Sequence, residues 1–197
     1  MNLPNRLTLL RILFIPIIVF VYLFPIEQFN ITIGHFTIGF VAIPYTNLIL
    51  LVLFVLASIT DFFDGYIARK YNKITSFGKF VDPVADKLLV NTLFIILAFS
   101  GFVPIIAVII MIWRDIIVDA IRMMVAEKGK VMSAGYLGKV KTVLQMLTII
   151  LVLMLNLPFE LYHLPVSDFM LWFAVAISVM SGINYFLQAK DVILESM

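Results

Sequence analysis

Asp61, Asp64, Asp82 and Asp86 are the residues most able to do chemistry. They stand in Asp61-Phe-Phe-Asp64-Gly65-Tyr-Ile-Ala68-Arg69 and, after eight residues, Gly78-Lys-Phe-Val-Asp82-Pro-Val-Ala-Asp86. Apolar runs lie on both sides. Carboxylates beside a membrane are costly to desolvate unless positive charge holds them. Hard oxygen ligands of this kind suit Mg²⁺, Mn²⁺ or Ca²⁺. Two ions shared by four aspartates would form the clamp used in phosphoryl chemistry. Asp61 and Asp64 are three apart and Asp82 and Asp86 four apart, so each pair shares a helix face. A short connection over 70–79 is expected to bring the end of one helix beside the start of the next, with all four carboxylates meeting at the membrane boundary. Gly65 and Gly78 leave backbone open to a bulky ligand. Ala68 keeps that face low, and Arg69 suits a carboxylate or a phosphate. Pro83 is expected early in its helix, where a missing N–H costs little.

The elements that carry these residues are apolar. The 197-residue chain is 63% hydrophobic and 13% charged, with a mean hydropathy of +1.11. The charged share is about half that of soluble domains. The composition identifies an integral membrane protein. Apolar runs cover roughly 12–27, 41–60, 88–113, 143–158 and 165–187, with a weaker one over 105–126. A span needs about 20 apolar residues, so 88–126 holds two helices, divided by the turn Ser100-Gly101-Phe102-Val103-Pro104. The expectation is an all-α membrane protein of six transmembrane helices near 6–25, 43–70, 80–100, 104–127, 134–157 and 165–190. It forms one membrane domain over 1–197. Phe24-Pro25-Ile26-Glu27 is a poor cleavage site, so the first helix is expected to be retained. With no cysteine there is neither disulfide nor thiolate metal site.

The loops 26–43, 101–104 and 158–165 hold no lysine or arginine. By the positive-inside rule they face outward. Both termini and loops 70–80 and 127–134 then face the cytoplasm. The net charge of +2 hides a strongly basic cytoplasmic face, which suits anionic headgroups and phosphorylated substrates.

The stretch from Asp61 to Asp86 matches at every fixed position the signature D-x-x-D-G-x-x-A-R, eight residues, G-x-x-x-D-x-x-x-D. The chain therefore resembles the CDP-alcohol phosphatidyltransferases. The resemblance implies six transmembrane helices around a cytoplasm-facing polar cavity, usually in a homodimer. It implies a reaction in which a hydroxyl displaces CMP from a CDP-linked lipid. It also implies metal ligation by Asp61, Asp64, Asp82 and Asp86, with Asp86 as general base. Gly65, Ala68, Arg69 and Gly78 would form the wall of the CDP site. The implied cofactor is a divalent metal, Mg²⁺ or Mn²⁺, as two ions.

Further residues narrow the acceptor. Arg114, Asp115, Asp119 and Arg122 lie in the expected fourth helix, with 115, 119 and 122 on one face. Lys139 and Lys141 open the fifth in Gly138-Lys139-Val-Lys141-Thr142-Val-Leu-Gln145. Cations from two helices aimed into one cavity would bind an anionic acceptor such as a phosphate monoester. Ion pairing between Arg114 or Arg122 and Asp115 or Asp119 is the competing explanation. Asn5, Thr8 and Arg11, spaced by three in the first helix, are candidates for lining the nucleotide or phosphate site. The opening P-N-x-x-T-x-x-R, Arg114 followed by an acid, Arg122, and G-K-x-K-T with a later Gln together resemble the bacterial phosphatidylglycerophosphate synthase branch of the family. Asp115 stands where that branch usually has Glu, and Val140 where an aromatic is common. The branch implies CDP-diacylglycerol as donor, glycerol 3-phosphate as acceptor through Arg114, Arg122, Lys139 and Lys141, and a multi-pass place in the bacterial inner (plasma) membrane. Inositol phosphate, phosphatidylglycerol (as in cardiolipin synthesis) and serine are alternative acceptors.

A divalent-cation transporter is the rival from another class, because intramembrane carboxylates also serve ion paths. Clustering of the acids at one face, not along a route, argues against it. Nothing in the sequence suggests nucleic acid as a partner, whereas membrane lipids surround the chain. His35 and His163 fall in outward loops and carry no role. Residues 28–40 alternate enough to suggest a short outward hairpin or interfacial segment.

Overall fold

The computed structural model describes residues 3–25, 28, 33–70, 76–129, 132 and 135–195, without the side chains of 3, 4, 62, 64–66, 68, 69, 76, 77, 79, 80 and 195. Among these residues six α-helices follow one another: α1 (Leu3–Leu23), α2 (Tyr45–Lys70), α3 (Ser76–Phe99), α4 (Ile105–Glu127), α5 (Tyr136–Leu153) and α6 (Val166–Glu195). The strands β1 (His35–Ile38) and β2 (Val41–Pro44) precede α2 as an antiparallel hairpin, with His35 opposite Pro44 and Ile38 opposite Val41. The alternation in 28–40 thus becomes a hairpin shifted toward α2, and Gly39 supplies its turn at φ +61°.

Three stretches, Asn5–Leu23, Tyr136–Leu153 and Val166–Leu194, are long and apolar enough to cross a membrane. In α2 the apolar stretch among the described residues, Tyr45–Asp61, is shorter. α3 carries Asp82, Asp86 and Lys87, and α4 carries Arg114, Asp115, Asp119 and Arg122. Their charge, not their length, sets these two helices apart. Large apolar side chains such as Phe20, Trp113, Ile116 and Phe169 stand on the outside, which for a chain of this size identifies a surface meant for lipid. Hydroxyls on the helices turn back onto their own backbone, as Ser58 does to the Phe54 carbonyl at 2.8 Å and Thr148 to the Leu144 carbonyl at 2.7 Å. That satisfies these donors within their own helices, away from hydrocarbon.

The core runs through the middle of the bundle, where Ile18, Leu50, Phe54, Leu93, Met111 and Ile149 are buried together. At one end the hairpin closes over Leu157 through Val41 and Ile43. At the other, Ile121 and Val125 of α4 pack on Ala189 and Val192 of α6.

Two arrangements differ from expectation. α1 packs broadly on both α2 and α3, whereas α2 and α3 meet little. The aspartates are therefore drawn together across α1, not only by the short connection. α2 ends at Lys70 as expected, but α3 begins at Ser76, ahead of the expected 80, so Pro83 is its eighth residue. Pro83 thus sits inside its helix, where it forgoes a backbone hydrogen bond to the residue four earlier.

Candidate functional site

Residues of α1 tie the two halves of the aspartate motif. The Arg11 side chain is 0% exposed, with Nη2 2.8 Å from Asp61 Oδ1 and Nη1 2.8 Å from Asp86 Oδ1. Thr8 Oγ1 donates to Asp82 Oδ1 at 2.7 Å. Residues 8 and 11 are one helical turn apart, as 82 and 86 are, so two adjacent turns of α1 face two adjacent turns of α3. Asn5 continues the stripe, half-buried. Arg11, a candidate for lining the nucleotide or phosphate site, lies between the acids. Asp61, Asp82 and Asp86 are part-exposed, and Gly78 is buried in α3. Asp64, Gly65, Ala68 and Arg69 belong to α2, but their side chains and surroundings lie outside the described residues.

Beside the acids lies a cavity of about 350 Å³ between α3, α4, α5 and α6. Asp82 and Asp86 form one wall. The other walls bear Arg114, Arg122, Lys139 and Lys141, the four cations singled out in the sequence. Asp115, Asp119 and Arg122 face it together, as their spacing predicts.

The cations divide into two kinds. Asp115, 4% exposed, accepts from Arg114 Nη1 at 2.9 Å and from Lys141 Nζ at 2.6 Å, both on Oδ1. Arg114 also donates to the Ser178 carbonyl at 3.1 Å and to Ser181 Oγ at 2.6 Å, and its guanidinium lies 5.7 Å from the Tyr185 ring centroid. The ion-pairing explanation therefore holds for Arg114, Lys141 is paired as well, and both also touch the cavity. Arg122 and Lys139 are exposed and make no ion pair among the described residues. Lys87 of α3 pairs with Asp119 of α4.

The contribution of α6 was missed. Ser178, Ser181, Gly182 and Tyr185 recur at three- and four-residue steps, one stripe of small and polar groups in an apolar helix. Tyr185 lines the cavity and accepts from the Gly135 N–H at 3.0 Å. The available signal was that periodicity. Composition hid it, because serine, glycine and tyrosine are common in membrane helices.

Oxygen-only donors gathered around a guanidinium form a place built to hold positive charge, and the donor set fits hard divalent ions. Among the described residues alone no group of three acids is arranged as a metal cage; Asp64, the fourth acid of the motif, is not among the described side chains.

The family model for CDP-alcohol phosphatidyltransferases matches residues 1–180. A Bacillus subtilis (strain 168) protein named CDP-diacylglycerol–glycerol-3-phosphate 3-phosphatidyltransferase is 44% identical over 185 residues, 94% of this chain and 93% of the relative. A protein of that name from Rickettsia bellii (strain RML369-C) is 36% identical over 190 residues, 96% of each chain. Another, from Mycoplasma genitalium (strain ATCC 33530 / DSM 19775 / NCTC 10195 / G37), is 37% identical over 152 residues, 76% of this chain and 63% of the relative.

Proposed function

This chain belongs to the CDP-alcohol phosphatidyltransferase family, and we propose that it transfers the phosphatidyl group of CDP-diacylglycerol to sn-glycerol 3-phosphate, giving phosphatidylglycerophosphate and CMP. One observation carries the choice of acceptor. Arg122 and Lys139, without ion-pair partners among the described residues, share a cavity with Asp82 and Asp86. A phosphate monoester placed on these cations directs its free hydroxyl toward the acids. The relatives' names point to the same acceptor.

In this reading Asp86 takes the proton of the acceptor's primary hydroxyl as its oxygen attacks the lipid-side phosphorus. The new P–O bond forms as the bond to the CMP phosphate breaks, and CMP leaves. Arg11 holds Asp86 and Asp61 in place from below, so the base meets the acceptor in one orientation. Gly65, Ala68, Arg69 and Gly78, with Asn5, Thr8 and Arg11, border the CDP-lipid. Asp61, Asp64, Asp82 and Asp86 would hold Mg²⁺ or Mn²⁺, two ions in all, which when bound supply positive charge to the pyrophosphate. Uncharged acceptors forgo the charge-assisted contacts that Arg122 and Lys139 offer a phosphate.

Six helices crossing the bacterial plasma membrane, with the cavity open to the cytoplasm, complete the reading. The chain acts as one domain over 1–197 and pairs as a homodimer. CMP release from CDP-diacylglycerol in mixed micelles tests it, with glycerol 3-phosphate, inositol 1-phosphate, serine and phosphatidylglycerol offered in turn. Glycerol 3-phosphate should give the highest kcat/KM. Release with inositol 1-phosphate and none with glycerol 3-phosphate overturns the acceptor, and full activity in excess chelator overturns the metal.

A further inference from the structure

The Lys87–Asp119 pair has no part in the scheme above, yet both side chains line the cavity. Its position is informative. Lys87 directly follows Asp86 on α3. Asp119 is one turn before Arg122 on α4, about 4.5 Å along the axis at 1.5 Å per residue. The pair therefore stands where the wall of the base meets the wall of the free cations. Near their other ends α3 and α4 meet through core residues such as Leu97 and Val108. Here a polar bridge takes the place of apolar packing.

The acids of the cavity are unequally engaged. Asp82 receives Thr8, Asp86 receives Arg11, and Asp115 receives two cations. Among the described residues Asp119 receives only Lys87, through Oδ1, and its side chain is 42% exposed. An ammonium beside a carboxylate presents a donor and an acceptor side by side, the complement of an alcohol. Lys87 also offsets a negative charge that would otherwise repel a phosphate.

We infer that Lys87 and Asp119 recognise the secondary hydroxyl of the acceptor, the one between the phosphate and the reacting hydroxyl, and so determine specificity for a vicinal diol phosphate. This rests on the acceptor reading above. With the phosphate at Arg122 and Lys139 and the primary hydroxyl at Asp86, the middle carbon passes this pair. Asp119 accepts the hydroxyl proton and Lys87 donates to its oxygen.

The test compares glycerol 3-phosphate with 3-hydroxypropyl phosphate, which lacks only that hydroxyl, by CMP release from CDP-diacylglycerol in mixed micelles. The wild-type protein should favour glycerol 3-phosphate in kcat/KM by roughly tenfold to a hundredfold, less than for a fully buried hydroxyl site because this pair is partly solvated. Asp119→Leu should bring the ratio near one while leaving the KM for CDP-diacylglycerol unchanged. Asp119→Asn, which keeps an accepting oxygen, should retain most of the preference. Unchanged CDP-diacylglycerol KM and melting temperature show that the variants fold. A wild-type ratio near one, or the same ratio in Asp119→Leu, overturns the inference. CMP release by the wild type with neither compound, but with serine or inositol 1-phosphate, overturns the acceptor reading and this inference with it.

Discussion

The two charged regions are inverses of each other. At the junction of α1, α2 and α3 one buried cation, Arg11, gathers two carboxylates. At the junction of α4, α5 and α6 one buried carboxylate, Asp115, gathers two cations. In each, the central residue has the sign opposite to its satellites, so the satellites decide the sign of the region. Three described carboxylates against one guanidinium leave the first negative. Four cations on α4 and α5 against Asp115 and Asp119 leave the second positive. Exposure differs as well. Asp61 and Asp86 are about one-third exposed, whereas Arg114 and Lys141 are 10% and 7% exposed. In the first region the satellites are therefore available to ligands. In the second they are largely consumed in joining three helices, and Arg122 and Lys139 remain for an incoming anion. A membrane bundle of this kind separates a cation-seeking site from an anion-seeking one by reversing the charge of a single buried residue.

The largest effect should come from the negative region. Asp86→Asn should lower turnover by about 10² to 10⁴-fold, the usual contribution of a positioned base, with CDP-diacylglycerol binding nearly intact. CMP release and binding of CDP-lipid in detergent separate the two. Near-normal turnover would remove Asp86 from its role and leave the first region as scaffold.

Next come the two central residues. Arg11→Ala and Asp115→Ala each leave like charges facing one another with the counter-charge gone, a change costing about 3–5 kcal/mol when buried. Arg11→Ala should fall toward the lower end, because its carboxylates reach solvent. Divalent ions supply the missing positive charge only in the first region, so adding Mg²⁺ should recover melting temperature in Arg11→Ala and not in Asp115→Ala. Equal recovery in both, or in neither, would erase the distinction between the regions.

Much of this contrast was legible in the sequence. The helix count, the shared face of 115, 119 and 122, and the meeting of acids with cations all follow from helical periodicity and from the cost of charge in lipid. The role of Arg11 was not legible. Its spacing from Asn5 and Thr8 identified a polar stripe, but whether that stripe met a ligand or the aspartates depended on α1 lying between α2 and α3, a packing fact without local signature. Likewise Arg114 reads in sequence like Arg122. The Ser178 carbonyl, Ser181 and Asp115 together distinguish a cation already engaged from one left open. α3 begins four residues ahead of the expected start at 80, so Pro83 lies about one turn deeper in the helix than its expected early place.

The engaged and open cations should therefore respond differently. Arg122→Ala and Lys139→Ala should each raise the KM for glycerol 3-phosphate about tenfold, the loss of roughly 1.4 kcal/mol of phosphate contact, without changing melting temperature or the KM for CDP-diacylglycerol. Arg114→Ala should lower melting temperature first, because it parts α4 from α6. Acceptor KM and thermal melting on the same preparations decide the matter. If Arg114→Ala raised acceptor KM alone, Arg114 would belong with the open cations.

The smallest effect probes how tightly Arg114 is held. A methyl group at Gly182 would lie 3.1 Å from Arg114 Cγ, closer than a relaxed contact, so the arginine stem must shift by a few tenths of an ångström. Alanine in place of glycine within a helix gains about 1 kcal/mol in propensity. An arginine free to move would let Gly182→Ala stabilise the protein. Here the guanidinium is fixed by Ser178, Ser181 and Asp115 at once, and a displaced stem strains three contacts made to two helices. The propensity gain should be cancelled, with a melting temperature within about 3 °C of wild type, a change of under 1 kcal/mol for a chain of this size. The strain reaches Lys141 only through Asp115, and Arg122 not at all, so acceptor KM should stay constant. A clear rise in melting temperature would mean that Arg114 yields easily, which would move it from the fixed framework toward the open cations of the cavity.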